Sequence, residues 1–173
     1  MVIVEYNPAW KQDFETLKGQ LSQGFPFFTR IEHTGSTAIP GMSAKPVIDL
    51  IAVIKDDEDF EAVKEALAKL GYQHNGDQGI EGREAFGHEK ALAHHLYVCR
   101  ESSAELGRHV LFRDYLKAHE KARNEYNKIK HDILDQVGWD NRPAYVELKA
   151  TQHNEFFERI LKEAAIWSSN SSK

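Results

Sequence analysis

The segment 47–54 constrains the fold more than any other part of the sequence. It is apolar at both alternating sets of strand positions, and Asp49 is the one exception. A strand that is apolar on both faces lies inside a sheet that is covered on both sides. The segment therefore predicts a central strand in a layered structure of helices and sheet, with one carboxylate in its interior.

Asp49 needs a partner in that position, because an isolated carboxylate in an apolar interior costs several kcal/mol. One interpretation is a divalent ion, Mg²⁺ or Mn²⁺, held by Asp49 and by the phosphate oxygens of a ligand, since Mg²⁺ prefers one or two carboxylates together with substrate oxygens. The other interpretation is structural. It satisfies Asp49 by an ion pair with Lys45 or by a hydrogen bond from Ser36 or Thr37.

A glycine-containing turn lies shortly before this strand. The string His-Thr-Gly-Ser-Thr at residues 33–37 follows a predicted strand over residues 27–33. Backbone N–H groups and hydroxyls in such a turn can surround a phosphate, although many turns of this composition are purely structural. Gly35, Ser36 and Thr37 are therefore candidate phosphate-binding residues.

Hydrophobic periodicity separates a first part that mixes strands and helices from a helical last third. Helical spacing and short apolar runs predict helices near residues 10–21, 56–70, 106–117, 120–137 and 142–165, and strands near 27–33, 47–54 and 94–99, with a hairpin around 83–86. We predict an α+β, α/β-like fold in which a mixed sheet is flanked by helices.

One globular unit is expected for a chain of 173 residues. We predict a core over residues 1–105, a helical part over residues 106–167 that packs on this core, and a disordered tail over residues 168–173. Hydrophobic residues make up 41% of the chain and charged residues 28%, which is typical of a folded domain and not of a disordered one.

Composition also excludes several classes of partner. No apolar run approaches the roughly 20 residues of a bilayer span, and the first residues lack the pattern of a signal peptide, so we predict a cytoplasmic protein with no membrane partner. The single cysteine, Cys99, excludes an internal disulfide. A net charge of −5 disfavours nucleic acid, whereas the basic segment 108–131 suits a small anionic ligand.

The string EHTGSTAIPGMSAKPVIDL at residues 32–50 closely resembles the signature of the GrpB family, a group in the nucleotidyltransferase superfamily. Residues 111–116, 126–130 and 145–149 are similar to that family's helical half, so the resemblance covers nearly the whole chain. It implies a nucleotidyltransferase-like sheet in which the Gly35-Ser36 turn opens a short helix that faces nucleotide phosphates. By the same resemblance, Asp49 would stand where such enzymes place their first metal-binding acid.

The chain departs from the superfamily's pattern at residue 51. Active members carry a second acid two positions after the first, and a third on a neighbouring strand, whereas this chain has Ile51 at the second position. Two-metal phosphoryl transfer uses several carboxylates to fix both ions and to activate the attacking hydroxyl. A one-metal enzyme, a hydrolase and a ligand-binding relative therefore remain open.

Histidines on the predicted strand 94–99 are candidates to complete the site. His94 and His95 are both possible metal ligands, and His95 is also a candidate catalytic residue with Asp49. Only one of the two can point at Asp49, because adjacent strand residues face opposite ways. His33 is a further possible site residue, since it adjoins the turn.

Basic residues supply candidate contacts to phosphate. Lys45 precedes the Asp49 strand, and Arg113 and Lys117 share one predicted helix face with His109. Arg83 is a possible phosphate contact in a glycine-rich hairpin, although a lone arginine is more often a surface residue. A further set is predicted to be helix packing with snorkelling lysines: Tyr126 with Lys130, and Tyr145 with Lys149.

Two hypotheses follow for the function. In the first, the chain is a metal-dependent nucleotidyl- or phosphoryl-transfer enzyme that binds a nucleoside triphosphate or another small phosphorylated ligand. In the second, it is a non-catalytic module that keeps the anion pocket, and Ile51 motivates this alternative. The oligomeric state stays open.

Overall fold

The computed structural model describes residues 2–22, 27–56, 59–89 and 92–171. Its elements follow one another as α1 (Ala9–Ser22), β1 (Phe28–Thr34), β2 (Ile48–Ile54), α2 (Phe60–Lys69), β3 (Gln73–His74), β4 (Arg83–Gly87), β5 (His94–Arg100), α3 (Ala104–Ala118), α4 (Glu120–Val137) and α5 (Arg142–Ser171). A single 3-10 turn, Ser36–Ala38, follows β1.

The five strands form one mixed sheet in the order β1-β2-β5-β4-β3. Strand β2 pairs with β1 antiparallel and with β5 parallel, and β4 pairs with β3 and β5 antiparallel. The segment with apolar residues on both faces is thus an interior strand, as its pattern predicts. The mixed sheet, the flanking helices and the helical last third confirm the predicted α+β fold class.

The two faces of the sheet carry different helices. Ile48 and Leu50 of β2 and Leu96 of β5 pack with α1 and α2 in the largest core cluster. On the opposite face, Ile51 and Val53 pack with residues of α3. Because strand residues alternate between faces, Asp49 lies on the α3 face together with Ile51.

The three C-terminal helices pack against one another and close over the α3 face of the sheet. Met42, Leu116, Phe156 and Ile160 belong to a core cluster that joins α3, α4 and α5 to the segment after the 3-10 turn. Helix α5 has 30 residues and is about 45 Å long. Within the described ranges, no helix combines the length and the apolarity that crossing a membrane requires.

Several predicted boundaries need correction. Helix α5 continues to Ser171, so residues 168–171 are helical where the sequence predicts a disordered tail, and residues 172–173 lie outside the described ranges. Helix α2 begins at Phe60 and not near residue 56, and residues 57–58 also lie outside those ranges. The predicted hairpin is β3 paired with β4, and β3 is only two residues long.

Candidate functional site

Asp49 is joined to His95 across two neighbouring strands. The register of β2 and β5 sets these residues side by side, and His95 Nδ1 lies 2.8 Å from Asp49 Oδ1. The Asp49 side chain is 29% exposed, so the carboxylate opens to a cavity and is not enclosed in the sheet. The sequence predicts that Asp49 needs a partner, and in the structure its partner is the imidazole of His95.

His94 faces the other side of the sheet. Its Nε2 lies 2.8 Å from the hydroxyl of Tyr72, and its Nδ1 lies 2.6 Å from the carbonyl oxygen of Leu92. Burial lowers the pKa of His94, which keeps the imidazole neutral among these partners. The structure therefore brings His95 to Asp49, and the prediction of His94 as a metal ligand is wrong for a site at Asp49.

Gly35 allows the turn to close over the carboxylate. Its φ is 67°, in the region that favours glycine, and a Cβ built there would clash with Asp49 Oδ2 and lie 3.0 Å from the carboxyl carbon. Ser36 then begins the 3-10 turn, whose first N–H groups have no partner within the turn itself. The Gly-Ser turn and Asp49, separate in sequence, are thus in direct contact.

His33 and Thr37 pack against the turn on its α1 side. His33 Nε2 lies 3.0 Å from Thr37 Oγ1, and the His33 ring stacks on Phe14 of α1 at 4.6 Å. Burial lowers the pKa of His33 to about 4, so the ring is neutral at pH 7. His33 lines a second cavity on the α1 side together with Lys117, and neither residue lines the cavity in front of Asp49.

A cavity of about 400 Å³ opens in front of the Asp49–His95 pair, and we call it the Asp49 cavity. The turn, the α3 face of the sheet and the helices α3, α4 and α5 form its walls. Six cationic side chains line it: Lys45, Arg83, Arg113, Lys130, Arg142 and Lys149. Asp49 is its single carboxylate among the residues that the structure describes. The excess of positive charge makes the cavity suited to an anionic ligand.

Lys130 lines the Asp49 cavity and is buried, whereas the sequence predicts a snorkelling lysine. It is only 2% exposed, its ammonium group donates to the carbonyl of Ser43, and it lies 3.4 Å from Ser36 Oγ and 4.4 Å from the centre of the Tyr126 ring. Burial lowers the pKa of Lys130 well below its ordinary value. A snorkelling lysine reaches solvent, and this one does not. Lys130 lies on the same stripe of α4 as the buried residues Tyr126 and Ile133, and this spacing could have predicted that it is buried.

Arg113 is an internal brace and not a free phosphate ligand. Its Nη1 donates to Glu32 Oε2 at 2.7 Å and to the carbonyl oxygen of His33 at 2.9 Å, and its Nε donates to Asp114 Oδ1 at 2.7 Å. The Arg113 side chain is only 12% exposed. The predicted role in phosphate binding therefore needs correction, because most of its donors are already bonded.

The predicted basic face of α3, formed by His109, Arg113 and Lys117, does not lie at a single cavity. His109 lines the Asp49 cavity, where its Nε2 lies 3.0 Å from Glu105 Oε1, while Lys117 lies at the second cavity. Arg108 pairs with Glu158. Much of the positive charge of α3 is thus paired with carboxylates of the protein itself. The cations at the cavity come largely from α4, α5 and Lys45.

Arg83 is buried, where the sequence favours a surface residue. It is 8% exposed, lines the Asp49 cavity, and its guanidinium carbon lies 4.2 Å from the centre of the Tyr97 ring. Its place on β4 brings it to the same sheet face as Tyr97 because Arg83 pairs with Cys99 and Ala85 pairs with Tyr97. Arg83 therefore lies at the Asp49 cavity, and its role as a site residue stays a prediction.

The side chains around Asp49 fit one divalent ion better than two. Ile51 is fully buried and packs with Leu106, so the place of a second acid is filled by a hydrocarbon core. Among the described residues, no group of three or more His, Cys, Asp or Glu side chains could hold a metal. One ion at Asp49 would take its remaining ligands from phosphate oxygens and water, which is the coordination that Mg²⁺ accepts.

Solved structures share this arrangement of sheet and helices. The crystal structure of the conserved protein GrpB from Enterococcus faecalis superimposes with a TM-score of 0.79 at 28% identity, over 94% of this chain and 96% of that chain. A structure of the Cid1 poly(U) polymerase bound to MgATP superimposes with a TM-score of 0.55 at 12% identity, over 78% of this chain and 46% of that chain. At that identity the likeness to Cid1 concerns the fold alone, which is nucleotidyltransferase-like.

Sequence relatives agree with the structural match. The UPF0157 protein YqkA of Bacillus subtilis is 36% identical over 137 residues, which are 78% of this chain and 40% of that protein, so the chain spans less than half of this relative's length. The family model described as GrpB protein matches residues 1–163. That match includes β1, the Gly-Ser turn, β2 and nearly all of the helical part. The chain therefore belongs to the GrpB family.

Proposed function

We propose that the chain binds a nucleotide, or another small phosphorylated ligand, in the Asp49 cavity and carries out nucleotidyl or phosphoryl transfer there. One observation carries this proposal: the Asp49–His95 pair, with 2.8 Å between Oδ1 and Nδ1, opens into a cavity whose other charged side chains are cations. A lone reactive carboxylate among cations suits a polyphosphate that brings its own negative charge.

The phosphates have two sets of donors in this proposal. Gly35, Ser36 and Thr37 supply the turn's N–H groups, Ser36 supplies its hydroxyl, and lysines from three different segments supply charge. Lys45, Lys130 and Lys149 all line the cavity, and nearby cations lower the pKa of both Lys45 and Lys130 beyond the larger effect of burial. Mutual repulsion of this kind is relieved when an anion binds, so these lysines favour a multiply charged ligand.

The carboxylate–imidazole pair supplies the chemistry. With Nδ1–H donated to Asp49, the Nε2 atom of His95 is free to accept the proton of an acceptor hydroxyl, and Asp49 stabilises the imidazolium that results. A divalent ion bound at Asp49, Mg²⁺ or Mn²⁺, would neutralise charge on the phosphate oxygens. Arg113 has a structural part, because it holds Glu32 of β1 against α3.

Calorimetric titration with ATP, GTP, CTP and UTP tests the binding step, with Mg²⁺, with Mn²⁺ and with a chelator. We expect metal-dependent binding of at least one nucleotide, and loss of the metal dependence in Asp49→Asn. Asp132→Asn is the matched control, since Asp132 pairs with Lys128 on the outer face of α4. Binding by none of the four nucleotides in any of these conditions would contradict the proposal.

Turnover is tested by release of phosphate or pyrophosphate from the nucleotide that binds. We expect His95→Gln to lower the rate about 10²–10⁴-fold, the usual contribution of a positioned general base. Nucleotide affinity should change far less than the rate. Lost affinity with an unchanged rate at saturating nucleotide would show that His95 acts in binding alone.

A non-catalytic nucleotide- or anion-binding module is the second candidate, and buried Ile51 favours it. The site has one carboxylate where two-metal enzymes have several. Nucleotide binding without any turnover in the wild type would support this candidate. Measurable turnover that Asp49→Ala abolishes would exclude it.

A further inference from the structure

Arg83 carries a buried positive charge that nothing in the described part of the chain neutralises. The residue is 8% exposed, and its Nε has no hydrogen-bond partner among the described residues. No ion pair to Arg83 occurs among those residues either. Burying a charged donor without a partner is costly, and native proteins satisfy such groups with few exceptions. An anion that enters the Asp49 cavity would supply the missing partner.

Arg83 stands at one end of a row of side chains that leads to Asp49. Its guanidinium carbon lies over the Tyr97 ring, 4.2 Å from the ring centre. Tyr97 lies two residues from His95 on the same face of β5, and the two ring centres are 6.3 Å apart. His95 in turn contacts Asp49. Arg83 is thus separated from the reactive pair by one side chain.

Four other cations of the cavity belong to a different wall: Lys45, Lys130, Arg142 and Lys149. Burial lowers the pKa of Lys45, and Arg142 and Lys149 lower it further, so these three residues lie near one another. Burial also lowers the pKa of Lys130, and Lys149 lowers it further. Arg83 instead acts on Tyr97 and on His109 of α3. The cavity therefore presents a cluster of positive charges on the α4–α5 side and a single guanidinium on the β4 side.

We propose that Arg83 binds the carboxylate of the acceptor substrate, an organic acid that carries a hydroxyl group. This inference rests on the proposed function, in which the lysine cluster holds the phosphates of the donor. A guanidinium presents a planar fork of N–H donors that matches the two oxygens of a carboxylate. One positive charge balances one carboxylate, and the contact with the Tyr97 ring helps to hold the guanidinium in place.

The position of the acceptor defines the reaction. The acceptor hydroxyl oxygen forms a bond to the α-phosphorus of the nucleoside triphosphate, the bond from that phosphorus to the bridging oxygen breaks, and pyrophosphate leaves. His95 Nε2 takes the hydroxyl proton. Arg83 is a specificity-determining residue in this scheme, because it touches the substrate at a distance from the atoms that react.

The Nε–H of Arg83 gives a direct test in the full chain. We would record its ¹H–¹⁵N signal, assigned by its absence in Arg83→Lys, during titration with acetate, glycolate and L-lactate. The primary amide of each acid is the uncharged control, and inorganic phosphate is the tetrahedral anion. We expect the acids to shift the signal and the amides to leave it unchanged. A signal moved only by phosphate, or by none of these probes, overturns the proposal.

Substitution at Arg83 adds a second measurement. Arg83→Met keeps an apolar stem over Tyr97 and should weaken carboxylate binding about 10–100-fold, as expected for a lost charge-assisted hydrogen bond. Nucleotide affinity should stay as in the wild type. Arg108→Met, an exposed arginine paired with Glu158, is the control. Unchanged carboxylate affinity in Arg83→Met overturns the proposal.

Nucleotide titration of the same samples separates this inference from the proposed function. Carboxylate binding at Arg83 without nucleotide binding would leave the anion site in place and reject the transfer reaction. Nucleotide binding with no effect of any acid on Arg83 would support the proposed function and reject the acceptor site.

Discussion

Gly35 shows how one residue without a side chain determines a site. Its positive φ and its close approach to Asp49 are two separate requirements, and only the first is visible in isolation. Gly76 has a similar φ of 69° but no atom within 4 Å of the place of a Cβ. A comparison of substitutions at the two glycines therefore distinguishes the cost of backbone strain from the cost of the contact with Asp49.

We predict that Gly35→Ala destabilises the fold more than Gly76→Ala does. Backbone strain costs of order 1–3 kcal/mol at either position, and only at Gly35 must the carboxylate of Asp49 also move. Urea denaturation measures the difference in the free energy of unfolding, and nucleotide titration measures the site. Equal losses of stability with unchanged ligand binding would contradict the contact at Asp49.

Lys130 allows a prediction with opposite signs for stability and binding. A lysine whose pKa is lowered in the folded state binds its proton more readily when unfolded, so the stability of the wild type should rise as pH increases toward the ordinary lysine pKa of about 10.4. Lys130→Met should remove this rise and stabilise the protein by about 1 kcal/mol or more at pH 7. The same substitution should weaken binding of phosphate ligands. Urea denaturation of the wild type and of Lys130→Met at pH 7 and at pH 9.5 measures how the free energy of unfolding changes with pH. The same change in both proteins would contradict the prediction.

Strand β2 shows at the scale of an element why an acid cannot simply be restored at residue 51. Asp49 lies at the open end of the strand, while Ile51 is one step deeper on the same face, with Leu106 and Val53 around it. The face is thus polar at its edge and apolar inside. Alternation along the strand predicts which side Ile51 takes, but the cover by α3 decides how deeply it is buried.

We therefore predict that Ile51→Asp destabilises the protein by about 3–5 kcal/mol, the effect of a buried charge without a partner. The control Ile51→Val should cost only about 0.5–1.5 kcal/mol. Thermal unfolding with and without Mg²⁺ checks the pair. A stable Ile51→Asp variant with increased metal affinity would show instead that the strand tolerates a second acid.

Helices α3 and α4 illustrate what periodicity alone leaves undecided. The pattern predicts both helices well, and the bounds of α4 agree with the prediction. It does not reveal that Arg113 is fully engaged with Glu32 and Asp114, since Glu32 is 81 residues away. A long-range ion pair of this kind has no signature in local spacing.

At the scale of the whole molecule, half-buried neutral histidines lie on both sides of the sheet. Burial lowers the pKa of His33 to about 4 on the α1 side, and the pKa of His153 to about 4 beside Tyr126 of the helical part. In the unfolded chain these imidazoles titrate near 6.5. The unfolded state therefore binds more protons between pH 6.5 and pH 4, and the folded state loses stability as pH falls through this range.

Urea denaturation at pH 7, 6 and 5 measures this effect. We expect the free energy of unfolding to fall steadily across the three conditions, and to fall less in His33→Gln and in His153→Gln. His131→Gln, a histidine beside Trp139 outside the Asp49 cavity, is the control. Parallel pH profiles for all four proteins would contradict buried neutral imidazoles.

Local pattern in the sequence determined the central strand with Asp49, the glycine turn before it, the helical last third and the family. Each of these depends on short-range periodicity or on a contiguous string of residues. Tertiary packing decided that His95 and not His94 meets Asp49, that Arg113 is occupied, and that Lys130 and Arg83 are buried cations at the cavity. Those outcomes depend on strand register and on contacts between residues tens of positions apart, because the protonation and accessibility of a charged group are set by everything that packs around it.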